Sequence, residues 1–318
     1  MIVAGNKWSF YISLTKYFLT NFSNPNNNVV EIQKIKIINF INYNGQLIDV
    51  NQPIFTIHSR PFKYGDSLFE TMRMFDGQLP FFEYHFQRLI DGMQALQMNI
   101  PKHYSLAFFK KEITRLFSSE KENARIRLSV FRKPGGLYTP INNDCEFTIE
   151  CSSLIDNHFE WNKKGLKIDV CPNVHLQISS LSHHKTGNSL AYILAGLYKK
   201  EHQLDDCLLL NDAGRIAEAS SSNVFWITNK KIYTPPISEG GINGVMRKVL
   251  LTNSKSFGVT IKEAKLSFVK LEKAQEVFLT NSIQGLRWVR QFQELKYNNE
   301  ISRQLIKMLN QKVANNVC

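Results

Sequence analysis

Lys185 is the residue in this 318-residue chain best placed to do chemistry; it lies in LSHHKTGNSLAYILAGLYKK, between an extended stretch and a helix. Two later stretches supply what a reactive amine needs. Glu218 heads the small polar run EASSSN, and Gly244, in GGINGVMR, opens a helix. The first N–H groups of a helix have no intrahelical acceptor, and the helix dipole adds to their pull on an anion. Here those groups belong to Val245 and Met246.

A lysine before a helix is, on its own, an ordinary solvated side chain. Combined with a carboxylate and a helix-terminus anion site, it meets the three requirements of pyridoxal 5'-phosphate: an amine for a Schiff base, a partner for the protonated ring nitrogen, and an anchor for the phosphate. His183 and His184 precede the lysine but read as strand-end residues, since one positioned amine suffices for proton transfer.

The elements that must position these groups follow from periodicity. The helix after Lys185 is built on Leu190, Ile193, Leu194 and Leu197. Upstream, KIINFINYNGQLI predicts two short strands around a type I′ turn at Asn44-Gly45. A strand pair turning at Asp76-Gly77 follows, then a helix with Phe86, Leu89, Ile90, Met93 and Leu96 on one face. Arg88 falls among them, and composition favours a snorkelling guanidinium over one held inward by an anion. After a helix around Tyr104 to Phe117, ARIRLSVFR alternates, which puts Arg125, Arg127 and Ser129 on one face and Arg132 at the end, before the loop KPGGLYTP. The second half reads as mostly strands, with helices over VMRKVLLTNSKSFG and from about Ser302 to Val313.

This organisation predicts four segments: an N-terminal extension at 1–35, read as disordered; a small α/β domain at 36–152; a connection at 153–162; and a large cofactor-binding domain at 163–318. The net charge of +12 is spread over scattered lysines with no basic stripe interleaved with aromatics, so no nucleic-acid partner is expected. Five irregularly spaced cysteines, with no CxxC pair, argue against a zinc site or a disulfide framework and suit a reducing cytoplasm. No apolar run reaches the roughly 18 residues that span a bilayer, so no membrane partner is expected either.

The stretch Glu218 to Phe225, with Ile232-Tyr-Thr234 and Ile242-Asn-Gly244-Val-Met-Arg247, resembles the class IV aminotransferase signature at every position. That family comprises fold-type IV pyridoxal phosphate enzymes: branched-chain and D-amino-acid aminotransferases and 4-amino-4-deoxychorismate lyases. The resemblance runs from about Ile37 onward. It implies an α+β, two-domain architecture with a small α/β domain and a larger, mainly β domain, and a homodimer with active sites near the interface. It also implies roles. Lys185 is similar to the Schiff-base lysine and Glu218 to the carboxylate that keeps the ring nitrogen protonated. Arg88, in HFQRL, resembles the arginine that clamps the phosphate, which reverses the reading from composition. Val245 and Met246 match the backbone phosphate donors, and Ser282 of LTNSIQG a phosphate-binding hydroxyl. Tyr64, in KYGDSLFE, matches a position bordering the site.

Leu190 stands where branched-chain enzymes carry a tyrosine, whereas YTPPISEGGINGVMR, NVFW and VFRKPGGLY are close to the lyase forms. The resemblance therefore implies a lyase that expels pyruvate to leave 4-aminobenzoate for folate biosynthesis. The alternative is a class IV amino-acid aminotransferase, of the D-amino-acid or branched-chain type, that passes the amino group to a 2-oxo acid. Arg127 and Arg132 are the cations expected to meet a dianionic substrate.

Overall fold

The computed structural model describes residues 39–117, 119 and 121–315; the extension expected at 1–35 lies outside them. Strands β1 (Phe40–Tyr43) and β2 (Gln46–Asp49) form a hairpin whose turn residues Asn44 and Gly45 have φ of 49° and 85°, as a type I′ turn requires. A short helix, α1 (Arg60–Tyr64), precedes β3 (Ser67–Met74). Helices α2 (Phe82–Ala95) and α3 (Leu106–Thr114) then lead to β4 (Ala124–Arg132) and β5 (Cys145–Ser153). The five strands form an antiparallel sheet in the order β2-β1-β5-β4-β3.

The chain does turn at Asp76-Gly77, but the expected strand pair there is a single strand. Beyond the turn only Phe75 and Gln78 bridge, because Pro80 has no N–H to extend a ladder, and β3 pairs with β4 along its length instead. Leu89, Met93, Phe109 and Ile113 of α2 and α3 cluster with Leu68, Met72, Ile126 and Leu128 of the sheet. Burying each such side chain contributes about 1.5–3 kcal/mol.

The second half contains β6 (Leu166–Leu176), α4 (Leu190–Glu201), β7 (Asp206–Asn211), β8 (Ile216–Ala219), β9 (Asn223–Thr228) and β10 (Lys231–Thr234). A 3-10 turn at Ile237–Glu239 leads into α5 (Val245–Thr252), β11 (Ile261–Glu263), α6 (Phe268–Glu272), β12 (Glu276–Asn281), β13 (Gly285–Phe292), β14 (Leu295–Lys296) and α7 (Glu300–Asn315). The strands form a mixed sheet in the order β11-β10-β9-β12-β13-β6-β7-β8, with β14 pairing β13. Val249, Leu250, Leu305 and Leu309 of α5 and α7 share a core with Phe225, Phe278 and Leu286.

Helix α4 turns an unexpected side outward. Its inner face is small, with Ala195 fully buried and Ala191, Tyr192 and Tyr198 packed beside Leu176, Cys207, Leu209 and Ala217. The four residues whose spacing predicts the helix, Leu190, Ile193, Leu194 and Leu197, are 69%, 56%, 54% and 59% exposed.

Candidate active site

Lys185 sits where the chain between β6 and α4 passes the free edge of β3. Phe69 N–H donates to the Lys185 carbonyl at 2.9 Å, and Gly187 N–H to the Ser67 carbonyl at 2.8 Å. Glycine suits so close an approach at 187, since a Cβ there would lie 2.2 Å from Ser67 Oγ and 3.0 Å from the Gly65 carbonyl oxygen. The Lys185 side chain reaches over the Phe69 ring, with Nζ 4.4 Å from its centre, and Arg127 Cζ stands 3.8 Å from the same centre. Burial disfavours the ammonium form and the Arg88 guanidinium adds to this, so the amine's pKa falls to about 8. His183 and His184 lie in a turn rather than at a strand end, and His184 joins the cavity wall.

Glu218, on β8, is buried, with both carboxylate oxygens hydrogen-bonded. Tyr192 Oη donates to Oε1 at 2.6 Å; Ile242 N–H and Asn223 Nδ2 donate to Oε2 at 3.0 and 3.3 Å. Burial pushes the carboxyl up to about 7 against the opposing pull of the Tyr192 hydroxyl, the Ile242 N–H, Lys185 and Arg88.

Arg88 does not snorkel. From α2 it turns inward, donating from Nε and Nη2 to the two oxygens of Glu70 at 2.8 and 2.6 Å. His85 Nδ1 lies 2.6 Å from the same Glu70 Oε2. Burial alone would raise the Glu70 pKa, but Arg88 and His85 outweigh it and hold the carboxyl at about 2. The remaining arm, Nη1, donates to the Asn243 carbonyl at 2.9 Å and so brings the guanidinium beside the start of α5.

The Ile242–Gly244 turn links these parts. Asn223 Nδ2 donates to the Ile242 carbonyl at 2.8 Å, and Asn243 N–H to the His183 carbonyl at 3.1 Å. A side chain at 244 would place Cβ 1.8 Å from Asn223 Oδ1, so a larger residue would push aside the amide that holds the Ile242 carbonyl and Glu218.

A cavity of about 1430 Å³ opens over this arrangement, and Tyr64, Arg88, Arg127, Arg132, Lys185, Glu218, Val245, Met246 and Ser282 all line it. Not all of them are free to act. Arg132 donates to Asp66 Oδ2 at 2.9 Å, Asn143 Oδ1 at 2.6 Å and the Leu96 carbonyl at 2.6 Å, so the guanidinium expected to meet substrate is spent within the protein. Asp66 also binds Arg60, which holds the carbonyls of Gly135 and Leu137 and stands over the Tyr64 ring. Arg127, by contrast, is half-exposed; besides its place over the Phe69 ring, its polar contacts among the described residues are a 3.4 Å contact with Ser129 Oγ and a 3.4 Å ion pair with Glu150.

Sequence reading missed Phe69, Glu70, His85, Tyr192, Asn223 and Thr280. Glu70 left a trace: in SLFETMRM it occupies the same strand face as Leu68 and Met72, where a charge requires a buried partner. Thr280 lines the cavity, and its buried Oγ1 has no hydrogen-bond partner among the described residues.

A mixed α+β fold, a lysine on a sheet edge, a buried carboxylate and a helix terminus backed by arginine define one class of enzyme. The description "Amino-transferase class IV" matches residues 67–292, and the chain belongs to that family, whose members are pyridoxal phosphate enzymes. It is 28% identical over 230 residues to the aminodeoxychorismate lyase of Vibrio harveyi, covering 71% of this chain and 83% of that one. The crystal structure of 4-amino-4-deoxychorismate lyase from Pseudomonas aeruginosa superposes with a TM-score of 0.74 at 25% identity, covering 85% and 98% of the two chains. The branched-chain aminotransferase from the archaeon Thermoproteus uzoniensis, solved with norvaline, superposes with a TM-score of 0.77 over 86% and 94% of the chains; at 19% identity this shows the fold alone.

The residues present fit this cofactor. The unpartnered Thr280 hydroxyl, the open N–H groups of Val245 and Met246, and Arg88 suit the phosphate. Glu218 suits the ring nitrogen, and Lys185 Nζ, which no described residue hydrogen-bonds, suits the carbonyl carbon.

Proposed function

We propose that the protein is a pyridoxal phosphate-dependent 4-amino-4-deoxychorismate lyase, releasing pyruvate and leaving 4-aminobenzoate. The observation that carries this reading is the cationic wall facing Lys185. Arg127 shares the Phe69 ring with the lysine, and Arg125 lines the same cavity, a supply of positive charge suited to a substrate with two carboxylates. The likeness to the Vibrio harveyi and Pseudomonas aeruginosa lyases supports the same reading.

When bound, the cofactor supplies an electron sink for negative charge at the carbon carrying the substrate's amine. Arg88, the Val245 and Met246 N–H groups and the Thr280 and Ser282 hydroxyls hold its phosphate, and Glu218 keeps its ring nitrogen protonated. Lys185, with a pKa near 8, has a usable neutral fraction near neutral pH and takes the proton from the substrate carbon. Arg127 orients the substrate carboxylates, and Tyr64 closes the side of the pocket. Arg132 supports the wall through Asp66.

The working form in this proposal is a homodimer joined through the outward apolar face of α4, in a reducing cytoplasm where Cys145, Cys151, Cys171 and Cys207 remain free thiols. Among the described residues no helix is long and apolar enough to cross a membrane. Incubation with 4-amino-4-deoxychorismate tests the activity. The expected result is 4-aminobenzoate and pyruvate in equal amounts. Absence of both, with steady 2-oxo acid formation from an amino-acid panel, would transfer the assignment to an aminotransferase.

A further inference from the structure

Among the described residues Glu218 receives three donors, of which one reaches Oε1. Ile242 N–H and Asn223 Nδ2, from the turn before α5 and from β9, both meet Oε2; the phenol of Tyr192, from the first turn of α4, meets Oε1 at 2.6 Å. Tyr192 reaches the carboxylate from the inner face of a helix whose outer face is apolar and exposed. Burial and the neighbouring carboxylate push the phenol well above its ordinary range, so the hydroxyl stays protonated and the bond runs from tyrosine to glutamate.

We propose that Tyr192 is a positioning residue for Glu218: its hydrogen bond to Oε1 fixes the carboxylate plane and keeps the group ionised opposite the cofactor's ring nitrogen. The proposal rests on the reading of this cavity as the pyridoxal phosphate site. A carboxylate in so buried a place is costly to ionise, and each charge-assisted donor offsets part of that cost. Lys185, from the segment after β6, and Arg88, from α2, also face Glu218 with their charges, while Asn223 and the Ile242 amide are neutral. All four remain when Tyr192 is replaced by phenylalanine, which retains the ring packed beside Ala195 and Ala217 and removes only the hydroxyl.

The test uses the full chain, with and without pyridoxal phosphate, as wild type, Tyr192→Phe and Tyr198→Phe. Tyr198 lies on the same inner face of α4, stacks on His202 at 4.0 Å and does not touch Glu218. Carboxyl carbon NMR, with Glu218→Gln to assign the resonance, follows the titration directly. In Tyr192→Phe the Glu218 midpoint is expected to rise by about one pH unit, the difference made by one hydrogen bond to a charged group. The pH midpoint of the bound cofactor's absorbance should move in the same direction. On the acid side of the profile kcat should fall about tenfold, with KM little changed. Tyr198→Phe is expected to leave all three readouts in place.

An unmoved Glu218 midpoint in folded Tyr192→Phe would overturn the proposal, as would an equal shift in Tyr198→Phe. Failure of the underlying site reading looks different: wild type would take up no pyridoxal phosphate, while the carboxyl titration of the cofactor-free chain would still decide the Tyr192 role.

Discussion

Glu70 and Arg88 face each other from β3 and α2 in a two-point ion pair, Nε to Oε1 at 2.8 Å and Nη2 to Oε2 at 2.6 Å, leaving Nη1 to hold the Asn243 carbonyl beside α5. The pair aims the guanidinium at the helix terminus. Arg88→Ala is therefore expected to weaken pyridoxal phosphate binding severely, and Glu70→Gln by roughly tenfold through loss of the charge-assisted fork. Fluorescence titration with the cofactor measures both. Equal affinity in wild type and Arg88→Ala would remove Arg88 from the phosphate site.

The same carboxylate has a stability signature. Its folded pKa of about 2 lies below the ordinary 4.5, so its stabilisation is fully present above pH 4.5 and is lost as pH falls from there towards 2. Glu70→Gln should cost about 3–5 kcal/mol at pH 7, because Arg88 is left buried without its counter-charge. Part of the acid dependence should vanish with it, as urea unfolding at pH 7, 5 and 3 would reveal.

Glu218 behaves in the opposite sense. A carboxyl raised from 4.5 to about 7 by burial favours the protonated folded state, so the cofactor-free protein loses stability as pH rises from 4.5 through 7. Glu218→Gln should remove that loss, and should bind the cofactor while losing most of its turnover. Thermal unfolding at pH 5 and 8, beside steady-state rates, checks both halves. Full turnover in the variant would rule out an electron-sink role.

The two arginines that the sequence offers as substrate cations should separate. Arg127→Ala is expected to raise KM about tenfold or more for a dicarboxylate substrate with little effect on folding, given its half-exposed side chain. Arg132→Ala should instead destabilise the fold, by about 1–3 kcal/mol, because Asn143 Oδ1 and the Leu96 carbonyl lose a charged donor while Asp66 keeps Arg60. Paired kinetics and denaturant titrations distinguish them; the reverse pattern would return Arg132 to the substrate.

The site residues that were legible in the sequence owe this to backbone chemistry. Gly244 opens α5, Glu218 heads the small polar run EASSSN, and Lys185 precedes a helix, all features confined to a few neighbouring residues. Glu70, His85 and Tyr192 were not legible because their meaning lies in partners 18, 15 and 26 residues away. Helix α4 shows a different limit. Periodicity groups Leu190, Ile193, Leu194 and Leu197 on one face but does not say which face points inward, and here the small residues Ala191 and Ala195 do. Strand β13 escaped because Arg287 and Arg290 interrupt its apolar pattern, although it lies between β12 and β6 within the sheet. The expected strand pair at Asp76-Gly77 failed on Pro80.

Lys185 is the residue on which the whole site depends, and borohydride reduction of the cofactor-loaded protein, followed by peptide mass mapping, tests it most directly. The expected result is one equivalent of reduced cofactor on the peptide containing Lys185, and none on any peptide of Lys185→Ala. Cofactor fixed to a different lysine, or no fixed cofactor in the wild type, would contradict the assignment.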